Sequence, residues 1–263
     1  MSEAGAAVLC LDLGWAPSTR SRTAAALLTP AGRIRVARVQ SRDDRELVDR
    51  LAGLLDPRAL LLLDLPVDGC GRLRPGGPAV RPVDRRLARA GIPVLPPVNA
   101  GVRGRGLKRA IRARVPEATV QETYPFAVLR VLWALYLSRQ LSAVRRRRTG
   151  PLLDEQVWRQ WPPRYKRAPT VRARRRALGE IFRLLTHSDL GLAFDPPLPQ
   201  PSPRQSAADI ARLSDCYDAC LGLIPGLLGP GHPLVTTVSG PRGGSLLLLA
   251  DPWLRARLQA RVL

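Results

Sequence analysis

The sequence predicts an α/β fold built on a mixed β-sheet, and three observations indicate it. The chain opens with three strand-like segments, "AAVLCLDL", "RTAAALLT" and "RIRVARVQ", which are typical of an antiparallel meander. The segment "SRDDRELVDRLAGLL" then combines an acidic helix start with apolar residues at helical spacing. The apolar run "ALLLLDLP" returns as a buried strand, so antiparallel and parallel pairing are expected in one sheet.

The middle of the chain alternates helices with one further strand. "PVDRRLARAG" predicts a short helix that ends at Gly91, and "RGRGLKRAIRARV" predicts a basic helix. "ATVQETYP" predicts a short strand. "PFAVLRVLWALYLSRQL" is the most apolar helix, and Pro125 is acceptable in its first turn.

The second half of the chain begins with an arginine-rich helical segment. We predict it as an insertion over about residues 140–200 of a single domain that covers 1–263. The proline-rich "FDPPLPQPSP" predicts a linker, and "QSAADIARLSDCYDACLGLI" predicts a strong amphipathic helix. "SLLLLA" predicts a final strand before a short terminal helix.

Composition limits the classes of protein that the chain can represent. Its 263 residues and 45% hydrophobic content can fill a sizeable core. The apolar stretch "FAVLRVLWALYL" is interrupted by Arg130 and no signal peptide is visible, so we expect a cytoplasmic protein without membrane contact. The four cysteines, Cys10, Cys70, Cys216 and Cys220, are scattered. With only two histidines beside them, buried reduced thiols are favoured over a zinc site.

The chain is strongly basic. Lysine and arginine number 42 against 21 acids, which gives a formal net charge of +21. Such an excess favours a phosphate-rich partner, so we expect nucleic acid. A GC-rich coding bias explains arginine in place of lysine, but it does not explain why acids fail to balance it. A solvated arginine face is the alternative interpretation of the run Arg145 to Arg148.

Acidic residues follow three of the predicted strands. Asp12, Asp64 and Glu122 lie at or near strand carboxyl ends, the edge where sites gather in open α/β sheets. Asp215 and Asp218 lie three residues apart, on one face of a predicted helix. Carboxylates in apolar surroundings repel one another unless a cation compensates them, so the set predicts a Mg²⁺ or Mn²⁺ site.

Each acid also has a structural interpretation. Asp12 can initiate a turn, and Asp64 can accept backbone hydrogen bonds in the turn around Pro66. Glu122 can pair with an arginine, and Asp215 can be a capping or surface residue. Asp218 is the more inward-facing of the helical pair.

Several short motifs carry a family resemblance. The order of "LDLGW", "LLLDLP", "RPVDRRLARAGIPVLPP", "VQETYP", "RYKR" and "DCYDA" resembles the predicted-nuclease family catalogued as domain of unknown function 429. That family is similar to the ribonuclease H-like superfamily. The resemblance implies a five-stranded mixed sheet, with three antiparallel and two parallel strands, flanked by helices.

The resemblance also implies site residues. It implies an acidic metal centre at Asp12, Asp64, Glu122 and Asp218, with Asp215 as an accessory ligand. The motifs that carry the resemblance also contain two pairs of basic residues for which it suggests substrate-binding roles. They are Arg81 with Arg85 and Lys166 with Arg167. Arg81, Asp84 and Arg85 either hold a phosphate or form an internal ion pair, and the second interpretation is slightly favoured. Lys166 and Arg167 either approach the scissile phosphate or are solvated surface residues.

Together these features predict a metal-dependent nuclease that hydrolyses phosphodiester bonds with two Mg²⁺ or Mn²⁺ ions. A non-catalytic nucleic-acid-binding protein on the same fold is the first alternative. A phosphotransferase related to actin and sugar kinases is the second, although "LDLGWAPSTRS" offers only one phosphate-binding turn where such proteins need two. The sequence leaves the oligomeric state open.

Overall fold

The structure is a computed structural model that describes residues 8–13, 23–68, 81–94, 100–240 and 244–260. Its strands are β1 Val8–Asp12, β2 Thr23–Leu28, β3 Ile34–Val39, β4 Leu60–Leu63, β5 Thr119–Thr123, β6 Val235–Ser239 and β7 Ser245–Leu249. Its helices are α1 Asp44–Ala52, α2 Pro82–Arg89, α3 Ala100–Arg114, α4 Pro125–Leu137, α5 Ala143–Arg146, α6 Glu155–Trp158, α7 Val171–Leu185, α8 Ala207–Leu228 and α9 Pro252–Gln259. Cys70 lies outside the described residues.

The strands form one mixed sheet in the order β3-β2-β1-β4-β5-β7-β6. The opening three strands pair antiparallel, whereas β4 and β5 continue parallel to β1. The α/β class is confirmed, but the expectation of five strands is wrong because the described residues form seven. β7 pairs parallel with β5, and β6 pairs antiparallel with β7 at the sheet edge. The β-branched segment "VTTVS" forms β6, a strand that the sequence analysis did not predict.

Alternating residues of β1 and β4 bury against different helices. Leu9 and Leu11 of β1, with Leu61 and Leu63 of β4, pack in one cluster with α1 and α3. Cys10 of β1 belongs to the cluster on the other face, which contains α4 and α8. Because successive strand residues point to opposite faces, the residue after Leu11 and the residue after Leu63 belong to the α8 face.

Two glycines bring α8 close to β1. A Cβ at Gly222 would lie 2.5 Å from Cys10 Sγ, and one at Gly226 would lie 2.7 Å from Val8 Cγ1. Four helix residues rise about 6 Å and two strand residues about 6.6 Å, so each helical step of four matches two residues of the strand. The same step brings Asp218 of α8 level with Asp12 at the end of β1.

The arginine-rich segment that contains α5 to α7 is attached to the rest of the fold near both of its ends. The Asp251 carboxylate at the start of α9 accepts hydrogen bonds from the backbone of Leu152 and Leu153, at 2.7 and 2.9 Å. At the other end, Phe194 forms a bridge to Ile34 of β3. The apolar side of α7 packs in the same cluster as α4 and α8, so Arg172, Arg176 and Arg183 face outward, whereas Arg174 and Arg175 are partly buried.

α4 is apolar on most of its surface and is buried among the other elements, as its sequence predicts. Cys10 and Cys220 are buried near it, and burial raises the pKa of both thiols. Across the described residues, no helix combines the length and the apolar composition that crossing a bilayer requires.

The close contact between α8 and β1 yields a first prediction. We expect Gly222→Ala to lower the free energy of unfolding by about 1–3 kcal/mol, because the added methyl overlaps Cys10. Gly179→Ala in α7 is the matched control, since nothing lies within 4 Å of its added Cβ. The control should be neutral or stabilising by up to about 1 kcal/mol. Urea denaturation measures both, and equal effects would contradict the proposed helix–strand packing.

Candidate functional site

Two aspartates meet at the carboxyl ends of β1 and β4. Asp12 is the last residue of β1 and is buried, and Asp64 directly follows β4 and is partly exposed. The Asp64 amide donates to the Leu11 carbonyl at 3.1 Å, which holds the two strand ends level. The two carboxyl groups act on each other's pKa. Because two ionised carboxylates repel one another, their proximity favours a proton on one of them.

α8 adds a third carboxylate to this pair. Asp218 is buried, and its Oδ1 accepts a hydrogen bond from the Tyr165 hydroxyl. Its Oδ2 forms an ion pair with the Lys166 ammonium. Asp215, one turn earlier on α8, is partly exposed, and its charge also acts on Asp12. We name Asp12, Asp64 and Asp218 the acidic cluster.

The acidic cluster is short of positive charge. Burial, followed by the charge of Asp218, raises the pKa of Asp12 to about 8. Burial and the charge of Asp12 raise the pKa of Asp64 well above its usual range. Burial alone would lower the pKa of Lys166, but the charges of Asp218 and Asp12 outweigh it and raise that pKa. Lys166 is thus held in its charged form, and the aspartates still retain a proton.

Glu122, the fourth predicted member, lies apart from the acidic cluster. Strand pairing sets it level with Leu63, one residue short of Asp64, so its side chain starts on the opposite face of the sheet. Both of its oxygens accept from Arg81, at 2.5 and 2.7 Å. The backbone amide of Val67 donates to it at 3.4 Å.

Arg81 joins Glu122 to Asp84. Its Nε and Nη2 donate to the Asp84 carboxylate at 2.8 and 2.7 Å, and its Nη1 also donates to the Asp68 carbonyl at 3.0 Å. With the two bonds to Glu122, all five guanidinium N–H groups are used. Arg81 is only 3% exposed, so these contacts match the internal ion-pair interpretation and leave no donor for a substrate phosphate.

The other predicted basic residues lie nearer to solvent. Arg85 is exposed on α2, and Arg167 is exposed beside Lys166. The Lys166 side chain is half exposed although its ammonium reaches Asp218. Tyr165, which contacts Asp218 directly, was not singled out from the sequence, and its position within "RYKR" was the signal that could have found it.

The donor chemistry of the acidic cluster suits a hard divalent cation. Three carboxylates supply oxygen ligands, and the raised pKa values of Asp12 and Asp64 indicate that added positive charge would be stabilised there. As they stand, however, the described residues contain no group of three or more potential ligands close enough together to hold a metal ion. The Lys166 ammonium lies against Asp218 in this arrangement, so a cation at Asp218 would take over its position.

The ion-pair network around Arg81 yields a prediction on stability. We expect Arg81→Met to lower the free energy of unfolding by about 3–5 kcal/mol, because Glu122 and Asp84 would be left buried without their cation. Arg89→Met on the exposed side of α2 is the control and should change it by less than about 0.5 kcal/mol. A loss below about 1 kcal/mol in the first variant would show that the network does not need Arg81.

The acidic cluster yields a prediction on pH. In the unfolded chain Asp12 loses its proton near pH 3.8, whereas in the folded protein it holds the proton up to about pH 8. Folding stability should therefore fall as pH rises through this interval. We expect Asp12→Asn to remove that loss, so the variant should match wild type at the acidic end and be more stable by over about 1 kcal/mol at pH 8.

Thermal denaturation in the presence of a chelator measures this difference across the pH range. A variant that is less stable than wild type at pH 8 would contradict the raised pKa of Asp12.

Comparison with known proteins gives no relative for this chain. It matches no protein-family model, no curated protein and no solved structure. The functional conclusion therefore depends on the fold, charges and contacts of the chain itself.

Proposed function

We propose that this protein is a metal-dependent nuclease that hydrolyses phosphodiester bonds of nucleic acid. The observation that carries the proposal is the acidic cluster, in which Asp12, Asp64 and Asp218 converge from two parallel strand ends and one helix. Buried carboxylates are unfavourable for stability, as the raised pKa of Asp12 indicates, so a functional reason for keeping three together is favoured.

The sheet supports assignment to the ribonuclease H-like superfamily. β1 to β5 are arranged in the order 3-2-1-4-5, with three antiparallel strands followed by two parallel ones. The family resemblance of the motifs likewise implies three antiparallel and two parallel strands. β7 and β6 extend the sheet beyond β5 and leave the junction of β1 and β4 unchanged.

In this proposal Asp12, Asp64 and Asp218 would hold Mg²⁺ or Mn²⁺. The bound cation would supply activation of water and stabilisation of negative charge at the leaving oxygen. Tyr165 fixes the orientation of Asp218 by donating to its Oδ1. Lys166 is half exposed and lies at the rim of the cluster, so its ammonium is placed to attract a phosphate.

A basic surface adjoins the acidic cluster. Arg164 and Arg167 flank Tyr165 and Lys166, and both are exposed. A neighbouring cavity of about 420 Å³ is lined in part by Pro163, Arg172 and Arg176. With a net charge of +21, this surface favours the polyanionic backbone of a nucleic acid and predicts affinity that falls steeply with salt.

One observation favours the alternative of a binding protein without catalysis. Lys166 already neutralises part of Asp218, and the described ligands do not form a metal site as they stand. In that alternative the lysine is a permanent structural partner, and the basic surface binds nucleic acid without cleavage.

Cleavage assays separate the two functions. We expect wild type to cut labelled single-stranded, duplex, hybrid or branched nucleic acids with Mg²⁺ or Mn²⁺ and to stop with chelator. Asp64→Asn should lower the rate by at least about 100-fold while nucleic-acid affinity stays within about threefold, because the carboxylate acts on the reaction and not on the backbone. Glu117→Gln, at an exposed acid beyond α3, is the matched control. Cutting by Asp64→Asn at the wild-type rate would overturn the mechanism.

A further inference from the structure

A series of aromatic rings leads away from the acidic cluster. The ring centroids of Tyr124 and Phe126 lie 6.2 Å apart, and those of Phe126 and Trp161 lie 6.5 Å apart. The planes of Phe126 and Trp161 differ by only 28°. We name Tyr124, Phe126 and Trp161 the aromatic platform.

Trp161 is the outermost ring of the aromatic platform and is 53% exposed. Among the large hydrophobic residues that are exposed in the described part of the chain, it is the one aromatic. An indole left in water forgoes the hydrophobic stabilisation that burial would provide. An exposed tryptophan beside further aromatic rings is a candidate group for stacking with a ligand.

A buried arginine holds Trp161 in position. The Arg130 guanidinium carbon lies 3.8 Å from the centroid of the Trp161 ring and 4.4 Å from that of Trp158. Arg130 also donates to the Gly91 and Trp158 carbonyls at 3.1 and 2.6 Å, and it is 3% exposed. It pairs with no carboxylate among the residues that the structure describes. The guanidinium thus fixes the indole before any ligand arrives, which lowers the entropy cost of binding.

Tyr124, the inner ring of the aromatic platform, lies near the acidic cluster. Tyr124 directly follows β5, and after burial the charges of Asp64 and Asp218 are the main causes that raise its pKa. Trp161 precedes by four residues Tyr165, which donates to Asp218. A ligand stacked on the aromatic platform would therefore extend toward the carboxylates.

We propose that the aromatic platform binds an unpaired base of a single-stranded nucleic acid by stacking on Trp161. This inference rests on the proposed function, because the base would belong to the strand that the acidic cluster cleaves. Every base has a flat π-face, so stacking of this kind tolerates any sequence. Arg164 and Arg167, exposed on the same segment, are placed for the phosphates of that strand.

The chemistry of the aromatic platform and the arginines beside it indicates which kind of ligand binds there. A flat aromatic ring among arginines suits a partner that carries both a π-face and negative charge. Bases inside a duplex are already stacked on their neighbours, and exposing one costs a few kcal/mol. The aromatic platform should therefore favour single strands, loops or frayed ends of either DNA or RNA over continuous duplex.

The test measures binding without cleavage. Fluorescence anisotropy, with chelator present, gives the affinity of wild type and Trp161→Ala for a labelled oligodeoxythymidylate and a labelled oligouridylate. A third strand with the same phosphates but abasic sugars isolates the contribution of the bases. Trp161→Phe keeps an aromatic face, and Leu54→Ala is the control at an apolar residue of similar exposure, 55%.

We expect Trp161→Ala to weaken binding of both base-bearing strands by about 5- to 100-fold, as for loss of one stacked base. Its affinity for the abasic strand and the slope of affinity against salt should be unchanged, because the phosphate contacts remain. Trp161→Phe should retain most of the affinity, and Leu54→Ala all of it.

Equal losses on base-bearing and abasic strands, no loss on either, or no strand binding by wild type would overturn the inference. Strand binding that depends on Trp161, with no cutting after metal is added, would contradict the proposed nuclease activity but support base stacking on the aromatic platform. Metal-dependent cutting with the same KM in wild type and Trp161→Ala would support the nuclease activity but contradict base stacking on Trp161.

Discussion

The close packing of α8 on β1 is the constraint on which the site depends. Without side chains at Gly222 and Gly226, the helix lies against Cys10 and Val8. The spacing of four helix residues against two strand residues then carries Asp218 to the end of the strand, where Asp12 lies. A larger side chain at either glycine would lift the helix from the sheet, and the third carboxylate would move away from the other two.

Much of this arrangement could be predicted from the sequence. Periodicity located the strands that carry Asp12 and Asp64 and the helix that carries Asp218, because each element has a strong and uninterrupted pattern. The position of Glu122 could not be predicted in this way. It lies one residue short of the level of Asp64, and a shift of one residue in a strand turns a side chain to the opposite face.

Contacts between residues far apart in the chain account for the other features of the site that the sequence did not predict. Arg81 is 41 residues from Glu122 in the chain, and Tyr165 is 53 residues from Asp218. No local pattern encodes such pairs, although each residue belongs to a quoted motif. The cation–π contact of Arg130 with Trp161 is of the same kind. From sequence, Arg130 only interrupted an apolar helix, whereas in the fold it orders a ring beside the site.

Two ionic networks lie at this edge of the sheet, one around Arg81 and the other formed by the acidic cluster with Lys166. They differ in the cation that each contains. Arg81 spends all five of its N–H donors on fixed partners, and its planar fork matches two carboxylates at once. Lys166 is a compact charge on a flexible and half-exposed stem. Its one ammonium is near three aspartates, of which Asp12 and Asp218 are buried and Asp64 is partly exposed. An arginine network of this kind holds a loop in place, whereas a single lysine leaves the carboxylates undercompensated. That remaining deficit of positive charge is what a divalent cation at the acidic cluster would supply.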